Sequence, residues 1–241
     1  MNKLISFITA GDPTLEKTKE FLDVLTRYSD MVEIGLPFSD PIAEGEVIEA
    51  ANARALGGGV TADKVFDMLR GARYDKPLVL LTYINPVFVY GCERFFKRCR
   101  EAGISYAVIP DLPFEERGEV EAYARAGGVR LITMIAPTSL KRVEMLAKNA
   151  EGFVYLVSSL GVTGTRTEFA ADLKDLAAQI KRVTDTPVYV GFGISTPQQA
   201  REIGKIADGV IVGSAFVKIV EKHGGGSAPY LEKFCKELKG V

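Results

Sequence analysis

An acidic residue stands inside an apolar strand in the sequence VEIGLPFSDPIAEGEVIEA, which covers residues 32–50. This residue is Glu33, and proteins rarely bury an acid among apolar side chains unless it is paired or functional. Without a cationic partner, burial raises the pKa of a glutamate toward neutrality, which suits a group that both donates and accepts a proton. The alternative is a buried ion pair, although the nearest candidate cation, Lys3, lies at the opposite end of the first predicted strand.

Other kinds of catalytic group are scarce in the chain. Its one histidine, His223, stands in EKHGGG at a predicted helix end, so we expect neither a catalytic triad nor a histidine-based metal site. The cysteines at 92, 99 and 235 are scattered and odd in number, which favours reduced thiols over a disulfide framework. We therefore expect acid–base chemistry from carboxylates, tyrosines or lysines, with no metal.

Two glycine-rich segments in the C-terminal third of the chain could bind a phosphate. VGFGIS at 190–195 and VGSAFV at 212–217 each end an apolar run and open a helix, so free backbone N–H groups and a helix dipole meet there. Glycine also suits tight turns, but two such segments together favour a phosphate site. A third loop, GVTGTR at 161–166, has the composition of a mobile lid or of an ordinary exposed loop.

Apolar and aromatic residues near the predicted strand ends could form a flat slot for a ring-shaped substrate. They are Phe7, Leu81, Tyr83, Tyr155 and Phe192. Core packing is the competing explanation for residues of this type.

Eight short apolar runs rich in β-branched residues predict the strands that position these groups. They cover 4–8, 31–34, 78–81, 106–109, 131–135, 153–157, 188–190 and 209–212. Continuous rather than alternating runs indicate strands buried on both faces, hence a parallel sheet. Helical segments lie between them, for example at 15–27, 65–73, 94–101, 120–126, 142–148, 173–183 and 197–203. A repeat of roughly 30 residues is typical of a (β/α)8 barrel, whereas an open doubly wound sheet normally has fewer strands.

The composition narrows the class of protein further. The 241 residues are 47% hydrophobic and 25% charged with a net charge of −1, so no basic field indicates nucleic acid. We find no apolar run long enough for a membrane span or a signal peptide, and we expect a cytoplasmic protein. The fold class is thus predicted to be α/β, with one (β/α)8 TIM barrel domain over residues 1–241. In such a barrel the active site lies at the C-terminal ends of the strands.

The motifs at these strand ends resemble those of the tryptophan synthase alpha chain family. Matching segments include FITAGDP (7–13), VEIGLPFSDPIAEG (32–45), LTYINP (81–86), GFVYLVSSLGVTGTR (152–166), VGFGIS (190–195) and DGVIVGSAFVKIVE (208–221). They occur in order over nearly the whole chain. The resemblance implies a lyase of tryptophan biosynthesis that reversibly cleaves indole-3-glycerol phosphate into indole and glyceraldehyde 3-phosphate, with no cofactor in this chain.

The resemblance also implies roles for individual residues. Glu33 matches the glutamate that moves protons between the substrate's C3′ hydroxyl and its indole ring, Glu44 stands where an aspartate accepts the indole N–H, and Tyr155 matches a tyrosine near the glutamate. The other matches are Phe7, Leu81, Tyr83 and Phe192 in the indole pocket, Thr163 in the lid, and Gly164, Gly193, Gly213 and Ser214 at the phosphate. The loop around Asp40 matches a surface that docks on a beta subunit carrying pyridoxal phosphate, in an α2β2 complex.

The segment AEGEVIE departs from the family's usual ADGPVIQ. Glu44 keeps the charge of the aspartate but adds a methylene, while Glu46 and Glu49 either alter the docking face or are solvated charges at a helix start. Several hypotheses stay open: a lyase working with a beta subunit, a stand-alone indole-releasing lyase, or a weakly active regulatory subunit that activates a beta partner. An isomerase-type phosphate barrel is a further alternative.

Overall fold

Parallel β-strands surrounded by helices make up the part of the chain that the structure describes. This computed structural model describes residues 3–158, 166–191 and 193–241, and only the backbone of residues 140 and 166–172. The strands are β1 Lys3–Thr9, β2 Met31–Gly35, β3 Leu78–Leu81, β4 Ile104–Val108, β5 Arg130–Leu131, β6 Thr133–Ile135, β7 Val154–Val157, β8 Val188–Gly191 and β9 Gly209–Val212. They form one sheet in the order β5-β4-β3-β2-β1-β9-β8-β7-β6.

The sheet closes on itself at Ile132. β5 pairs with β4 and β6 pairs with β7, yet the two segments are continuous in the chain apart from this single residue. The backbone N–H of Ile132 donates to Ala107 on β4 at 2.9 Å, whereas its carbonyl accepts a 2.7 Å hydrogen bond from the guanidinium of Arg117. β5 and β6 are therefore one interrupted barrel strand, and the predicted eight-stranded (β/α)8 barrel is confirmed.

Helices cover the outside of the barrel. They are α1 Leu15–Tyr28, α2 Glu46–Gly57, α3 Ala62–Leu69, α4 Ile84–Tyr90, α5 Cys92–Glu101, α6 Gly118–Ala126, α7 Val143–Lys148, α8 Arg166–Lys181, α9 Pro197–Ile203, α10 Ser214–His223 and α11 Ala228–Lys239. Short 3₁₀ segments occupy Phe114–Glu116, Pro137–Arg142 and Gly224–Gly226. None of the described helices is both long enough and apolar enough to cross a bilayer.

Threonine side chains set several helix starts. Thr14, Thr61 and Thr196 each accept a hydrogen bond from the backbone N–H three residues later, which caps α1, α3 and α9. Because Thr61 caps α3, this helix begins at Ala62, three residues before the start of the predicted segment 65–73. It ends at Leu69, four residues before the end of that segment. The apolar residues of α2 are mostly alanines, so the sequence carried only a weak helical period there.

Alternate strand residues face two separate hydrophobic cores, which is why the strands read as continuous apolar runs. On β1, Leu4 and Ile8 pack with the outer helices, whereas Ile5 and Phe7 belong to the cluster inside the barrel. Met31 of β2 also faces inward, so Glu33, two residues later, points to the same side. The predicted inward orientation of Glu33 follows directly from this alternation.

Aromatic rings fill the interior beneath the mouth of the barrel. Phe153 packs edge-on against Tyr106 and Tyr189, with ring centroids 5.7 Å and 5.3 Å apart. Such edge-to-face contacts are favourable and leave little open space. The barrel interior is therefore filled by side chains below the mouth. A ligand reaches Glu33 from the C-terminal ends of the strands.

Candidate active site at the barrel mouth

A cavity of about 570 Å³ opens at the C-terminal ends of the strands. Two acids, Glu33 and Glu44, line one part of it, and Gly193, Gly213 and Ser214 line another. Apolar side chains form most of the wall between them: Phe7, Ile48, Leu81, Met134 and Ile211. A volume of this size holds a ligand with a ring system and a polar tail.

Glu33 is buried without a counter-charge. Its side chain is 2% exposed, and its Oε1 has no hydrogen-bond partner among the described residues. Burial, with a smaller contribution from the negative charge of Glu44, raises the pKa of Glu33 to about 8. The described residues offer Glu33 no ion pair, so the structure favours the proton-transfer interpretation of this residue over a buried salt bridge.

Glu44 is held by Tyr83 at the entrance. The Tyr83 hydroxyl donates a hydrogen bond to the Glu44 carboxylate, and it accepts hydrogen bonds from the backbone N–H of Ile42 at 3.1 Å and of Ala43 at 3.0 Å. Partial burial raises the pKa of Glu44, an effect that the hydrogen bond from Tyr83 opposes. One buried tyrosine thus fixes the loop that carries the second acid.

Tyr155 lies beside both acids on the inner face of β7. Burial, together with the negative charges of Glu33 and Glu44, raises the pKa of Tyr155 well above its ordinary value, so its hydroxyl stays protonated. The ring crosses directly over Gly191, where a Cβ atom would come within 2.5 Å of Tyr155 Cε1 and of its hydroxyl oxygen. Glycine at 191 is what allows the tyrosine to occupy this position.

The start of α10 forms another part of the cavity wall. Its N-cap residue is Gly213, and no side chain caps its first turn, in contrast to the threonine-capped helices α1, α3 and α9. Ser214 and Gly193 stand beside it on the cavity wall, and Gly193 has a φ of 71°, which favours glycine. Uncapped N–H groups at a helix N-terminus favour an anion.

The structure gathers most of the residues predicted from the sequence into one cavity. Phe7, Glu33, Glu44, Leu81, Tyr155, Gly193, Gly213 and Ser214 all line it. Tyr83 is instead 1% exposed and lies behind the Glu44 loop. It holds that loop in place and does not itself line the cavity. Asp40 is exposed on the same loop, outside the cavity. Thr163, Gly164 and Phe192 lie outside the described residues.

Several cavity residues escaped the sequence-based prediction. Met134 and Ile211 are inward positions of β6 and β9, and strand alternation alone could have identified them. Ile48 and Lys218 project from helices α2 and α10, where no sequence signal distinguishes a cavity-facing position from a surface one. In the part of the chain that is described, no cluster of three or more His, Cys, Asp or Glu side chains could hold a metal ion.

Comparison with known proteins identifies close relatives over nearly the whole length. Residues 1–240 match the family model described as "Tryptophan synthase alpha chain". A tryptophan synthase alpha chain from Lacticaseibacillus casei is 47% identical over 238 residues, covering 98% of this chain and 90% of the relative, and one from Methanosarcina mazei is 46% identical over 239 residues, covering 98% and 87%.

Solved structures show the same similarity. Tryptophan synthase subunit alpha from Campylobacter jejuni superposes with a TM-score of 0.90 at 36% identity, covering 98% of this chain and 95% of that one. A chain of the tryptophan synthase complex from Pyrococcus furiosus gives a TM-score of 0.89 at 33% identity, with both chains fully covered.

Proposed function

The chain belongs to the tryptophan synthase alpha chain family, and on that premise we propose that the cavity at the barrel mouth is where it cleaves indole-3-glycerol phosphate into indole and glyceraldehyde 3-phosphate. The observation that carries this proposal is Glu33, an unpaired buried acid with a pKa near 8 in an apolar cavity. The size of the cavity and its uncapped helix start support the same substrate.

We propose that Glu33 transfers both protons of the reaction. In its protonated form it donates a proton to C3 of the indole ring, which places a positive charge on the ring nitrogen. The Glu33 carboxylate then takes the proton of the hydroxyl on the carbon attached to C3. As the C–C bond breaks, its electron pair returns to the ring, which leaves indole, and the hydroxyl carbon becomes the aldehyde of glyceraldehyde 3-phosphate.

Glu44 and Tyr155 support this step from two sides. We propose that the Glu44 carboxylate accepts the indole N–H and stabilises the positive ring, because a fixed anion is most effective where charge develops. Tyr155 stays neutral beside Glu33, so it excludes water without adding charge. Phe7 and Leu81 supply the apolar walls for the ring.

At the start of α10, Gly193, Gly213 and Ser214 are proposed to bind the phosphate through backbone N–H groups and the helix dipole. Thr163, Gly164 and Phe192 remain predictions, as lid, phosphate and indole-pocket residues respectively.

We also propose a beta subunit as the partner of this chain, with pyridoxal phosphate in that subunit and an α2β2 assembly. Apolar side chains are exposed at the barrel mouth: Ile42 is 75% exposed on the loop that carries Asp40, and Phe88 and Val89 on α4 are 46% and 80% exposed. Exposed apolar side chains grouped on one face support a protein interface. A cytoplasmic location and a single domain over residues 1–241 complete the proposal, because the described cysteines are free and the described strands form one sheet.

Substitution of Glu33 by glutamine tests the proposed chemistry. The variant keeps the shape of the side chain but cannot give up and regain a proton, so indole release falls by about a thousandfold or more. The chain contains no tryptophan, so fluorescence of the substrate's indole ring can report binding, which we expect to persist. A matched control is Glu46→Gln, which removes an exposed acid from the first turn of α2. Turnover retained by Glu33→Gln rejects Glu33 as the proton carrier.

The same assay, run with and without a beta subunit, decides among the functional alternatives. Indole release by the chain alone supports a stand-alone lyase, and release that depends on the partner supports the complex. No release in either condition, with activation of the partner retained, points to a regulatory subunit. Glu44→Asp tests the unusual side chain: a rate increase shows that glutamate is suboptimal there, and an unchanged rate shows that the Tyr83 loop has adapted to it.

A further inference from the structure

We propose that Lys218 provides the positive charge that attracts the phosphate of the substrate and fixes which way the substrate lies in the cavity; this rests on the proposed function. Lys218 follows Ser214 by one turn of α10, so the two residues share a face of the helix. Both line the cavity. Among the described residues that do so, Lys218 is the one cation.

The side chain of Lys218 is not committed to another carboxylate. The one acid on α10 is Glu221, three residues later, which is a position from which it could pair with Lys218. Glu221 instead pairs with Arg54 of α2 at 3.3 Å, and Arg54 also binds Asp12 through two hydrogen bonds of 2.9 Å and 2.8 Å. Within the described part of the chain, Lys218 therefore has no ion-pair partner and its ammonium is available to a ligand.

The charges around the cavity favour such a cation. A phosphate monoester carries nearly two negative charges at neutral pH, whereas backbone N–H groups and a helix dipole supply only partial positive charge. Glu33 on β2 and Glu44 on the loop before α2 line the same cavity, and ionised acids repel a phosphate. A cation on α10 and acids on β2 and the loop that follows it give the cavity a direction, so the substrate binds with its phosphate toward Lys218 and its ring toward Glu33.

Two substitutions at 218 and one control test this role. Lys218→Met keeps the length of the side chain and removes the charge, and Lys218→Arg restores the charge. Lys222→Met makes the same change in net charge one turn further along α10, at an exposed lysine that does not line the cavity. Lys218 is itself exposed, so each variant is expected to fold.

Binding of glycerol 3-phosphate, a phosphate monoester without an indole ring, is measured by ligand-observed NMR for every variant. We expect Lys218→Met to bind this probe about tenfold more weakly and to raise KM for indole-3-glycerol phosphate about tenfold, with kcat within twofold of wild type. The difference should shrink as salt rises from about 0.02 M to about 0.5 M, because added ions screen exposed charges. Lys218→Arg should behave nearly as wild type, and Lys222→Met should be indistinguishable from it.

Three results overturn the proposal: equal effects of Lys218→Met and Lys222→Met, a loss in Lys218→Met that Lys218→Arg does not restore, or no binding of glycerol 3-phosphate by wild type. Failure of the wild-type chain to release indole, alone or with a beta subunit, counts against the proposed function. In that case the glycerol 3-phosphate measurement still decides the role of Lys218, so the two failures are distinguishable.

Discussion

The hydroxyl of Tyr83 donates a hydrogen bond to the carboxylate of Glu44, 39 residues earlier in the chain. It also accepts two backbone N–H groups from the residues just before Glu44. Tyr83 therefore supports the proposed active site from behind, and other side chains form the cavity wall. Because Glu44 is one methylene longer than aspartate, this anchor determines where its carboxylate lies.

Removing that hydroxyl should displace Glu44. We expect Tyr83→Phe to lower kcat by about tenfold to a hundredfold, since a misplacement of about 1 Å is enough for such a loss, and to cost about 1 kcal/mol of stability. Binding of glycerol 3-phosphate should not change. Tyr123→Phe is the control, because Tyr123 is 43% exposed on α6. Equal activity of the two variants would show that Tyr83 does not position the acid.

The raised pKa of Glu33 couples stability to pH. The folded protein keeps the proton of Glu33 up to about pH 8, whereas the unfolded chain loses it near pH 4.5. The folded state thus binds more protons between these values, and stability falls as pH rises through this window. The full effect is on the order of 5 kcal/mol. Urea denaturation at pH 5, 7 and 9 should show wild type losing stability relative to Glu33→Gln, and parallel curves would contradict the assignment.

Activity should depend on the same proton. In the proposed mechanism cleavage begins with protonated Glu33, so kcat/KM should fall as pH rises above about 8. The negative charge of Glu44 contributes to the raised pKa of Glu33, so Glu44→Gln should move this midpoint to lower pH while lowering the rate. A pH–rate profile of both proteins measures the shift. A midpoint that stays in place would mean that the two acids do not interact.

Gly191 should be intolerant of even one added methyl group. We expect Gly191→Ala to push the Tyr155 ring aside, lowering kcat about tenfold or more and costing about 2 kcal/mol of stability. Gly118→Ala is the control, because a Cβ atom there meets nothing within 4 Å. Introducing Gly191→Ala into a Tyr155→Leu background should recover most of the stability loss, and an unchanged loss in the double variant would exclude Tyr155 as the cause.

Arg54 should be important for stability. Asp12 is 4% exposed and accepts two hydrogen bonds from Arg54, so Arg54→Met leaves a buried carboxylate unpaired at a cost of about 3 kcal/mol. Arg125→Met, which breaks a pair whose arginine is 71% exposed, should cost less than about 0.5 kcal/mol. Asp12→Asn should relieve part of the Arg54→Met loss in urea denaturation. Equal losses in the two arginine variants would mean that the Asp12 pair adds little.

The sequence by itself determined the barrel, the end of the barrel that carries the site, and the inward acid Glu33. These follow from local patterns, because a period of two and burial on both faces are visible within a single strand. Helix ends could also be predicted where a threonine caps the first turn, as at Thr14 and Thr196.

Only the tertiary structure decided how distant residues meet. The anchoring of Glu44 by Tyr83, the passage of Tyr155 over Gly191 and the closure of the barrel at Ile132 each join segments far apart in the chain. So does the Arg54–Glu221 pair, which leaves Lys218 unpaired. No pattern within one segment encodes these contacts, because their geometry depends on the curvature of a closed sheet and on how the helices pack around it.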